Sequence, residues 1–467
     1  MNARSAKSGP SRLQLLLSLP GLLRNPLSTF LAWHRRYGDT IVVPIRHPAT
    51  LHLSSPEDIR HILAVNPLNY RKTGALIIGR RLLGQGLLAS SEPLHQHQRR
   101  IAQPHFLRQA VGSFALMMED VTSRHIGKWQ AGTVIDVFPE MTRLTITIIG
   151  RAYFSTDLSQ DSEQLYRDFG TCQKFMQKLV NIPDTYPTPL NRRYRDAVRR
   201  IDKIIDRIVT ERISSKDRPP DLLTTLIEAK DQTGQPLTRR QIRDEMVGIL
   251  LAGHETTAIA LSWTLYFLSE NPEVERRFHE ELSSNLGSDR ADAENIGDLR
   301  LAEMILNESM RLCPPVWILA RVAYHDDLLP SGRTVPAGTE VLMLPYIAHR
   351  NPDFFPDPER FFPERFSEDS HQTRPSFVYF PFGGGPRGCI GENFARMEAL
   401  IILATVGKNF RLRLIPGHPV VPEPLVTLRP KHGMRMEVLR HHPSSPRPVS
   451  AALHTGDVSL RQEEQTV

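Results

Sequence analysis

Apolar positions recur along most of the chain with helical spacing, and one segment is apolar almost throughout. Thr238 is followed three residues later by Gln241, a combination typical of a helix N-terminus. Apolar and small residues then run to Ser269, and Asn271-Pro272 marks a stop. We predict a helix of about 32 residues, about 48 Å long. Because it lacks a clear polar face, it should pass through the middle of a large domain.

The other predicted elements are mostly helices, with a few short strands. Residues 38–53 indicate a strand pair with a turn near His47-Pro48, and residues 329–347 indicate a second β-like stretch. Further helices are predicted at about 298–312 and 391–408. Regular β-α-β alternation does not appear in the pattern. We therefore predict a mostly α fold with small β-sheets, not a doubly wound fold.

The chain has 467 residues, a length that allows two or three domains or one large domain. Its composition, with 40% hydrophobic and 23% charged residues, excludes a wholly disordered chain. Residues 1–10 and 441–467 are poor in apolar positions and are predicted to be disordered. We therefore expect a single large domain at residues 11–440, built around the long central helix.

An apolar segment near the N-terminus, Leu15 to Leu23, is interrupted by Ser18 and Pro20. A membrane span needs roughly 20 apolar residues in a row, and a secretion signal needs a clean apolar run before a cleavage site. We expect neither a transmembrane anchor nor secretion, and hence a cytoplasmic protein. The segment is interpreted as packing on the domain surface, while shallow attachment to a membrane stays open.

Basic residues outnumber acidic ones by 58 to 51, for a net charge of +7. The positive charges are scattered and form no long run, so nucleic-acid binding is not expected. The three cysteines, Cys172, Cys313 and Cys389, are too few for a disulfide scaffold or a cysteine zinc cluster. This cysteine content favours a reducing compartment.

Cys389 lies in a glycine-rich segment that runs from Phe382 to Gly391. The glycines let the backbone approach a large flat group closely. Cys389 directly precedes a predicted helix, whose positive end favours the thiolate over the thiol. Arg387, two residues earlier, can meet an anion on the same face. A thiolate presented in this way suits a metal, and haem iron is one that cysteine holds as an axial ligand.

A second motif, residues 252–257 (AGHETT), lies in the long predicted helix. Gly248, Ala252 and Thr256 share one helical face, where small side chains let a flat group lie close to the backbone. The Thr256 hydroxyl can bond the Ala252 carbonyl one turn earlier, which bends the helix and opens a pocket.

Two charged pairs also have helical spacing. Glu308 and Arg311 are three residues apart, and His95 and Arg99 are four apart, so each pair shares one face of a predicted helix.

Together these segments resemble the cytochrome P-450 family, the haem-thiolate monooxygenases. Phe382, Gly385, Arg387, Cys389 and Gly391 match the family's haem-ligand loop, and the other three motifs occur in the expected order and spacing. The resemblance extends from about residue 22 to about residue 439 and implies the cytochrome P-450 fold.

The resemblance also implies roles for individual residues. Cys389 would be the axial thiolate ligand of haem b. Thr256 would guide protons to the oxygen being reduced, and Glu255 would supply them from solvent as part of a relay. Glu308, Arg311 and Arg365 would form a buried structural set that holds the cysteine loop. Haem contacts are implied for His95, Arg99, Ala252, Arg321, Phe382, Arg387 and Gly391, and substrate contacts for Ile249, Val316, Trp317, Ile318 and Leu319.

The implied reaction is the insertion of one oxygen atom from O2 into a hydrophobic organic substrate, by hydroxylation or epoxidation. Fatty acids and terpenoids are both compatible with the motif in the long helix, and Trp317 is alternatively a plain core residue. Electrons would come from a separate ferredoxin or flavodoxin and its reductase, because no second region could hold a flavin or an iron–sulfur cluster.

Two alternative functions stay open. A hydrogen-peroxide-driven fatty-acid peroxygenase would replace the acid–threonine pair with arginine and proline. A non-catalytic haem-binding sensor would not need Thr256. The intact Glu255-Thr256 pair favours the monooxygenase over both.

Overall fold

A computed structural model describes residues 9–45, 47–73, 79–177, 183–368 and 374–441. The segments predicted to be disordered, 1–10 and 441–467, lie almost wholly outside the described residues.

Most of the described chain is helical, as predicted. The α-helices are α1 Arg12–Arg24, α2 Pro26–Tyr37, α3 Pro56–Arg60, α4 Arg80–Leu83, α5 Leu94–Ala102, α6 Arg108–Gly112, α7 Ala115–Ile126, α8 Val137–Phe154, α9 Ser162–Met176, α10 Pro189–Ser214, α11 Leu222–Glu228, α12 Arg239–Glu270, α13 Pro272–Asn285, α14 Arg300–Leu312, α15 Pro345–Ala348 and α16 Glu392–Asn409.

The strands are short. They are β1 Thr40–Val43, β2 Thr50–Leu53, β3 Tyr70–Lys72, β4 Val134–Asp136, β5 Leu319–Ala323, β6 Asp327–Leu328, β7 Thr334–Val335, β8 Glu340–Met343, β9 Phe410–Leu414, β10 Pro422–Pro424, β11 Leu428–Pro430 and β12 Arg435–Arg440. The largest sheet has the order β1-β2-β8-β5-β3, and a second has the order β4-β12-β9.

The long helix α12 has the limits that the sequence predicts. The Thr238 hydroxyl accepts a hydrogen bond from the Gln241 backbone N–H, and the Gln241 side chain accepts one from the Thr238 N–H, which completes a capping box. Side chains all around the helix, such as Met246, Leu250 and Ile259, are fully buried. The helix α8 packs beside α12 in the main core. The predicted position of this helix in the middle of the domain is therefore confirmed.

The strand prediction is partly confirmed. β1 and β2 pair antiparallel within the predicted segment 38–53. The second β-like stretch was predicted to begin at residue 329, whereas β5 begins at Leu319 and the helix α15 begins at Pro345. β5 pairs with both β3 and β8. Its strand state depends on these distant partners, so the local pattern did not indicate it.

The N-terminal apolar segment forms α1, which packs on the domain surface. Leu15 and Leu22 contact a small cluster formed by Trp33, Ile41 and Val43. Across the described ranges, no helix combines the length and the apolar character needed to cross a bilayer.

Candidate functional site

The glycine-rich loop before α16 folds back tightly on itself. The Cys389 N–H donates to the Phe382 carbonyl over 2.9 Å, and the Gly388 N–H donates to the Gly385 carbonyl over 2.9 Å. Gly385 has a φ of +66°, and a Cβ there would lie 1.8 Å from the Leu63 carbonyl oxygen. A side chain at this position would therefore both strain the backbone and collide with neighbouring backbone.

Cys389 opens into a recess inside the domain. Its side chain is accessible to solvent, unlike those of Cys172 and Cys313, which are buried. The surrounding protein nevertheless desolvates the thiol and raises its pKa to about 11. An accessible thiol with so many protein atoms around it faces an internal space and not the outer surface. The neighbouring Arg99 guanidinium opposes this shift by favouring the thiolate.

One residue in the middle of α12 is also accessible to solvent. Ala252 is exposed, although Leu251, His254 and Glu255 beside it are buried. The Thr256 hydroxyl donates to the Ala252 carbonyl over 2.8 Å, which is the bond expected from the sequence. α12 and α16 are in contact. An exposed alanine within a buried helix indicates an open internal space beside it.

Basic side chains gather beside the cysteine loop. Lys72 and Arg321 face each other across the strands β3 and β5. The Arg387 guanidinium donates to the Ser90 carbonyl over 2.9 Å and lies 3.1 Å from the Glu92 carboxylate. The Lys72 ammonium donates to the Leu88 carbonyl. His95 Nδ1 lies 3.0 Å from the same Glu92 carboxylate.

This basic cluster, Lys72, His95, Arg321 and Arg387, has a surplus of positive charge. Burial, with Arg387 and Arg321 nearby, lowers the pKa of Lys72 to about 7. Burial likewise lowers the pKa of Arg321 to about 10. Glu92 is the carboxylate that opposes these cations within the described part of the chain. Such a site calls for additional anions, and the two carboxylates of a haem group fit it.

The remaining residues predicted to contact haem surround the cysteine loop. The Arg99 guanidinium donates to the Gly388 carbonyl over 2.8 Å, so it lies against the loop as well as near the basic cluster. The Arg396 guanidinium lies over the half-buried Phe382 ring at 4.9 Å. A Cβ at Gly391 would lie 3.9 Å from the Cys389 Sγ atom. Phe382 and Gly391 thus lie within the cysteine loop, and Arg99 lies against it.

The sequence gives Glu255 a role in a proton relay from solvent, and the structure places this carboxyl inside the domain. Its side chain is buried, and it accepts hydrogen bonds from Gln173 and, over 3.1 Å, from the Thr427 hydroxyl. Burial raises its pKa, while the nearby Arg429 opposes the rise. The tertiary fold encloses this carboxyl because α9 and the β10–β11 region meet over α12. A neutral carboxylic acid held in this way can donate a proton.

Glu308, Arg311 and Arg365 come together, as the sequence predicts. Arg311 donates to both Glu308 oxygens, over 2.7 and 2.9 Å, and both side chains are fully buried. Arg365 Nε lies 3.4 Å from Glu308 Oε1. The Phe362 N–H donates to the same oxygen over 2.8 Å.

A chain of hydrogen bonds links this buried set to the cysteine loop. Arg311 donates to the His349 carbonyl over 3.0 Å. The His349 Nε2 atom in turn accepts from the Phe380 N–H over 3.0 Å. Phe380 precedes Phe382, whose carbonyl binds the Cys389 N–H. These bonds connect Arg311 to the backbone that leads into the loop.

The residues predicted to contact substrate fall into two groups. Ile249, Val316, Ile318 and Leu319 are only partly buried. Trp317 is buried in the main core, where its indole N–H donates to the Leu425 carbonyl over 2.7 Å and its ring stacks on Phe30. This environment favours the alternative that Trp317 is a core residue.

Sequence reasoning missed Lys72, Glu92, Gln173 and Thr427. Lys72, Gln173 and Thr427 come from segments distant from the motifs they support, and none of the four lies in a motif of its own. The one local signal is Glu92, which lies three residues before His95 at the start of α5.

Comparisons with known proteins agree with this arrangement. A family model described as Cytochrome P-450 matches residues 8–446. The chain is 35% identical to cyclooctat-9-en-7-ol 5-monooxygenase of Streptomyces melanosporofaciens, over 88% of this chain and 90% of that protein. It is 33% identical to cyclooctatin synthase of the same organism, over 87% and 90%. It is 29% identical to pentalenene oxygenase of Streptomyces avermitilis, over 90% and 94%. The match covers nearly the whole chain, and the chain therefore belongs to the cytochrome P-450 family of haem-thiolate monooxygenases.

Proposed function

We propose that Cys389 is the axial ligand of haem b and that the enzyme inserts one oxygen atom from O2 into a cyclic terpenoid. When bound, haem b supplies the reductive activation of O2, assisted by electron density from the thiolate. The observation that carries the proposal is the accessible Cys389 thiol in an internal recess beside a surplus of buried positive charge.

The basic cluster would bind the two haem propionates. Lys72, Arg321 and Arg387 are charge-assisted donors, and the propionates would relieve their mutual repulsion. His95 would complete the set from α5. Ala252 would leave room for the flat ring beside α12, because its small side chain is exposed to the recess.

Two side chains of α12 would handle protons. The Thr256 hydroxyl, held by the Ala252 carbonyl, would pass a proton toward the recess. Glu255 would serve as the proton reservoir, because burial keeps its carboxyl neutral more readily than usual. Gln173 and Thr427 would position that carboxyl.

The substrate proposal rests on the names of the relatives and on apolar side chains. Two of the three relatives are named for acting on cyclooctat-9-en-7-ol and pentalenene, which are cyclic and unsaturated by name. Ile249, Val316, Ile318 and Leu319 are apolar and only partly buried, which suits a hydrophobic substrate. The relatives are named as oxygenases and a synthase, so a peroxygenase is not favoured.

Enzymes of this family receive electrons from redox proteins. We propose an acidic ferredoxin or flavodoxin as the donor, since the net charge of the chain is +7. Arg100, which is exposed on α5 and follows the loop-contacting Arg99, is a candidate docking residue. His97 is a weaker candidate, because its ring binds the Lys230 carbonyl.

A spectroscopic experiment tests the ligand. The reduced protein with carbon monoxide should give the difference spectrum of a haem thiolate, and Cys389→Ser should abolish it. Cys313→Ala is the matched control, because this second cysteine is buried away from the recess and should leave the spectrum unchanged. A thiolate spectrum that persists in Cys389→Ser would overturn the proposal.

A second experiment tests the substrate class. Cyclic terpene hydrocarbons and alcohols should perturb the haem spectrum and become oxygenated with isotope-labelled O2 and a reductase system. Straight-chain fatty acids of matched carbon number should do neither. Oxygenation of the fatty acids alone would replace the terpenoid assignment and leave the monooxygenase assignment intact.

A further inference from the structure

The outward face of α1 is an unpartnered apolar surface. Leu13, Leu16, Leu17 and Leu23 are exposed by 66%, 61%, 73% and 64%. Their spacing, together with Pro20, places them along one side of the helix. Leu15 and Leu22 lie on the opposite side and hold α1 to the domain. The helix is therefore apolar on both sides, and one side faces outward.

The chain carries positive charge alone up to the end of α2. The first acidic residue of the chain is Asp39, and the preceding residues include Arg4, Lys7, Arg12, Arg24, Arg35 and Arg36. Arg12 and Arg24 are exposed at the two ends of α1. Within the described residues, neither forms an ion pair with an acidic side chain. Arginines at both ends of an apolar helix can reach anionic groups while the leucines enter an apolar layer.

We propose that the outward face of α1 docks the protein on the surface of a membrane that contains anionic lipids. The helix has 13 residues and is about 20 Å long, whereas the hydrocarbon core of a bilayer is about 30 Å thick. It can therefore lie in the interfacial layer but cannot cross it. The docked leucines enter the boundary between headgroups and acyl chains, and the arginines bind the headgroup phosphates.

The size of the face argues for lipid over a second protein. A helix about 20 Å long and about 10 Å wide offers roughly 200 Å², whereas a stable protein interface needs roughly 800 Å² from each partner. A lipid surface demands no complementary shape, and it also accepts side chains beyond the helix. The exposed Ile45, which follows β1, adds to the apolar surface available at this end of the domain.

The position of the face has a consequence for an apolar substrate. α1 packs against α2, and Phe30 of α2 stacks on Trp317 with the ring centroids 6.3 Å apart. The face therefore lies on the side of the domain that carries residues 316–319. A hydrophobic compound dissolved in the bilayer would meet the enzyme at this side. The docking inference itself rests on α1 and is independent of the haem site.

The test is sedimentation of the full-length holoprotein with vesicles. The protein should sediment with phosphatidylglycerol-containing vesicles, and Leu16→Gln with Leu17→Gln should lower the bound fraction by about tenfold or more. Leu68→Gln with Leu328→Gln is the matched control, because these leucines are 75% and 62% exposed elsewhere on the surface. The control variant should bind like the original protein.

The charge requirement is tested in the same assay. Arg12→Gln with Arg24→Gln should weaken binding to phosphatidylglycerol vesicles, and pure phosphatidylcholine vesicles should bind the original protein several-fold less. All these residues are exposed, so the carbon monoxide spectrum should stay unchanged and report intact folding.

Three results would overturn the proposal. The original protein could fail to sediment with anionic vesicles, or the variants at Leu16 and Leu17 could bind as well as the control variant. Alternatively, analytical ultracentrifugation without lipid could detect a dimer that the substitutions at Leu16 and Leu17 abolish. That result would assign the face to a second copy of the chain.

Discussion

Arg311 lies outside the cysteine loop, but we expect its substitution to disturb the loop. Its guanidinium makes two bonds to Glu308 and three to backbone carbonyls, those of His349, Pro358 and Arg360, over 2.7 to 3.2 Å. No part of the side chain reaches solvent. Arg311→Met would keep much of the volume but remove every one of these donors.

The expected cost follows from what the substitution leaves behind. Glu308 would keep a buried charge, with Arg365 3.4 Å away as the remaining cation of the set. Breaking a buried ion pair by removing one partner costs about 3–5 kcal/mol of unfolding free energy. The unpaired carbonyls add to this cost, since each buried acceptor without a donor costs about 1–3 kcal/mol. We therefore expect a loss of at least about 3 kcal/mol.

The chain contains a closely matched control. Glu273 and Arg276 have the same three-residue spacing on α13, but both side chains are largely exposed. Arg276→Met should change stability very little, because solvent screens the pair and hydrates the remaining carboxylate. Glu308→Leu combined with Arg311→Met should recover part of the loss, since the buried Glu308 carboxylate is removed together with its partner. The recovery should be incomplete, because Arg365 loses its carboxylate and keeps its bond to the Asp357 carbonyl.

Urea unfolding of the holoprotein, followed by circular dichroism, measures these differences. Haem retention and the carbon monoxide spectrum report on the loop, which should be disturbed through His349 and Phe380. The reasoning would be refuted if Arg311→Met were as stable as Arg276→Met. It would also be refuted if the double variant lost the sum of both single losses.

Three further outcomes are expected. Thr256→Ala should lower the product formed per electron pair by roughly tenfold or more. Thr264→Ala is the control, because it loses an equivalent bond to a carbonyl one turn earlier and should leave this ratio unchanged. Equal effects of the two substitutions would contradict the proton role of Thr256. Burial lowers the pKa of His52 to about 3, so the folded state binds fewer protons than the unfolded chain below about pH 6.5 and stability falls as the pH drops. At about pH 5.5 the neutral, buried His52 costs about 1.4 kcal/mol of unfolding free energy. His52→Phe should remove this loss in urea titrations, and a variant with an unchanged pH slope would contradict the prediction. Reduction by an acidic redox protein should slow with added salt, and Arg100→Glu should weaken that dependence in stopped-flow measurements; a rate indifferent to salt would exclude electrostatic docking.

The elements closest to the chemistry were predictable because their signals are local. The capping box at Thr238 and the Asn271-Pro272 stop define α12 through contacts within four residues. The bond from Thr256 to Ala252 follows from helical geometry alone. The pairing of Glu308 with Arg311 follows from their spacing.

The environment of those elements was not predictable in the same way. Gln173 and Thr427 approach Glu255 from segments about 80 and 170 residues away and enclose its carboxyl. β5 becomes a strand through pairing with β3 and β8. Helix periodicity carries no information about which distant segment will cover a given face.

The sequence by itself determined the family, the central helix and the cysteine loop, because each depends on residues that are close along the chain. Only the tertiary structure decided which charges are buried together. Lys72 and Arg321 are about 250 residues apart, yet neighbouring strands place them side by side. Burial weakens the hydration of both cations at once, so the anion they require is a property of the fold and not of either segment.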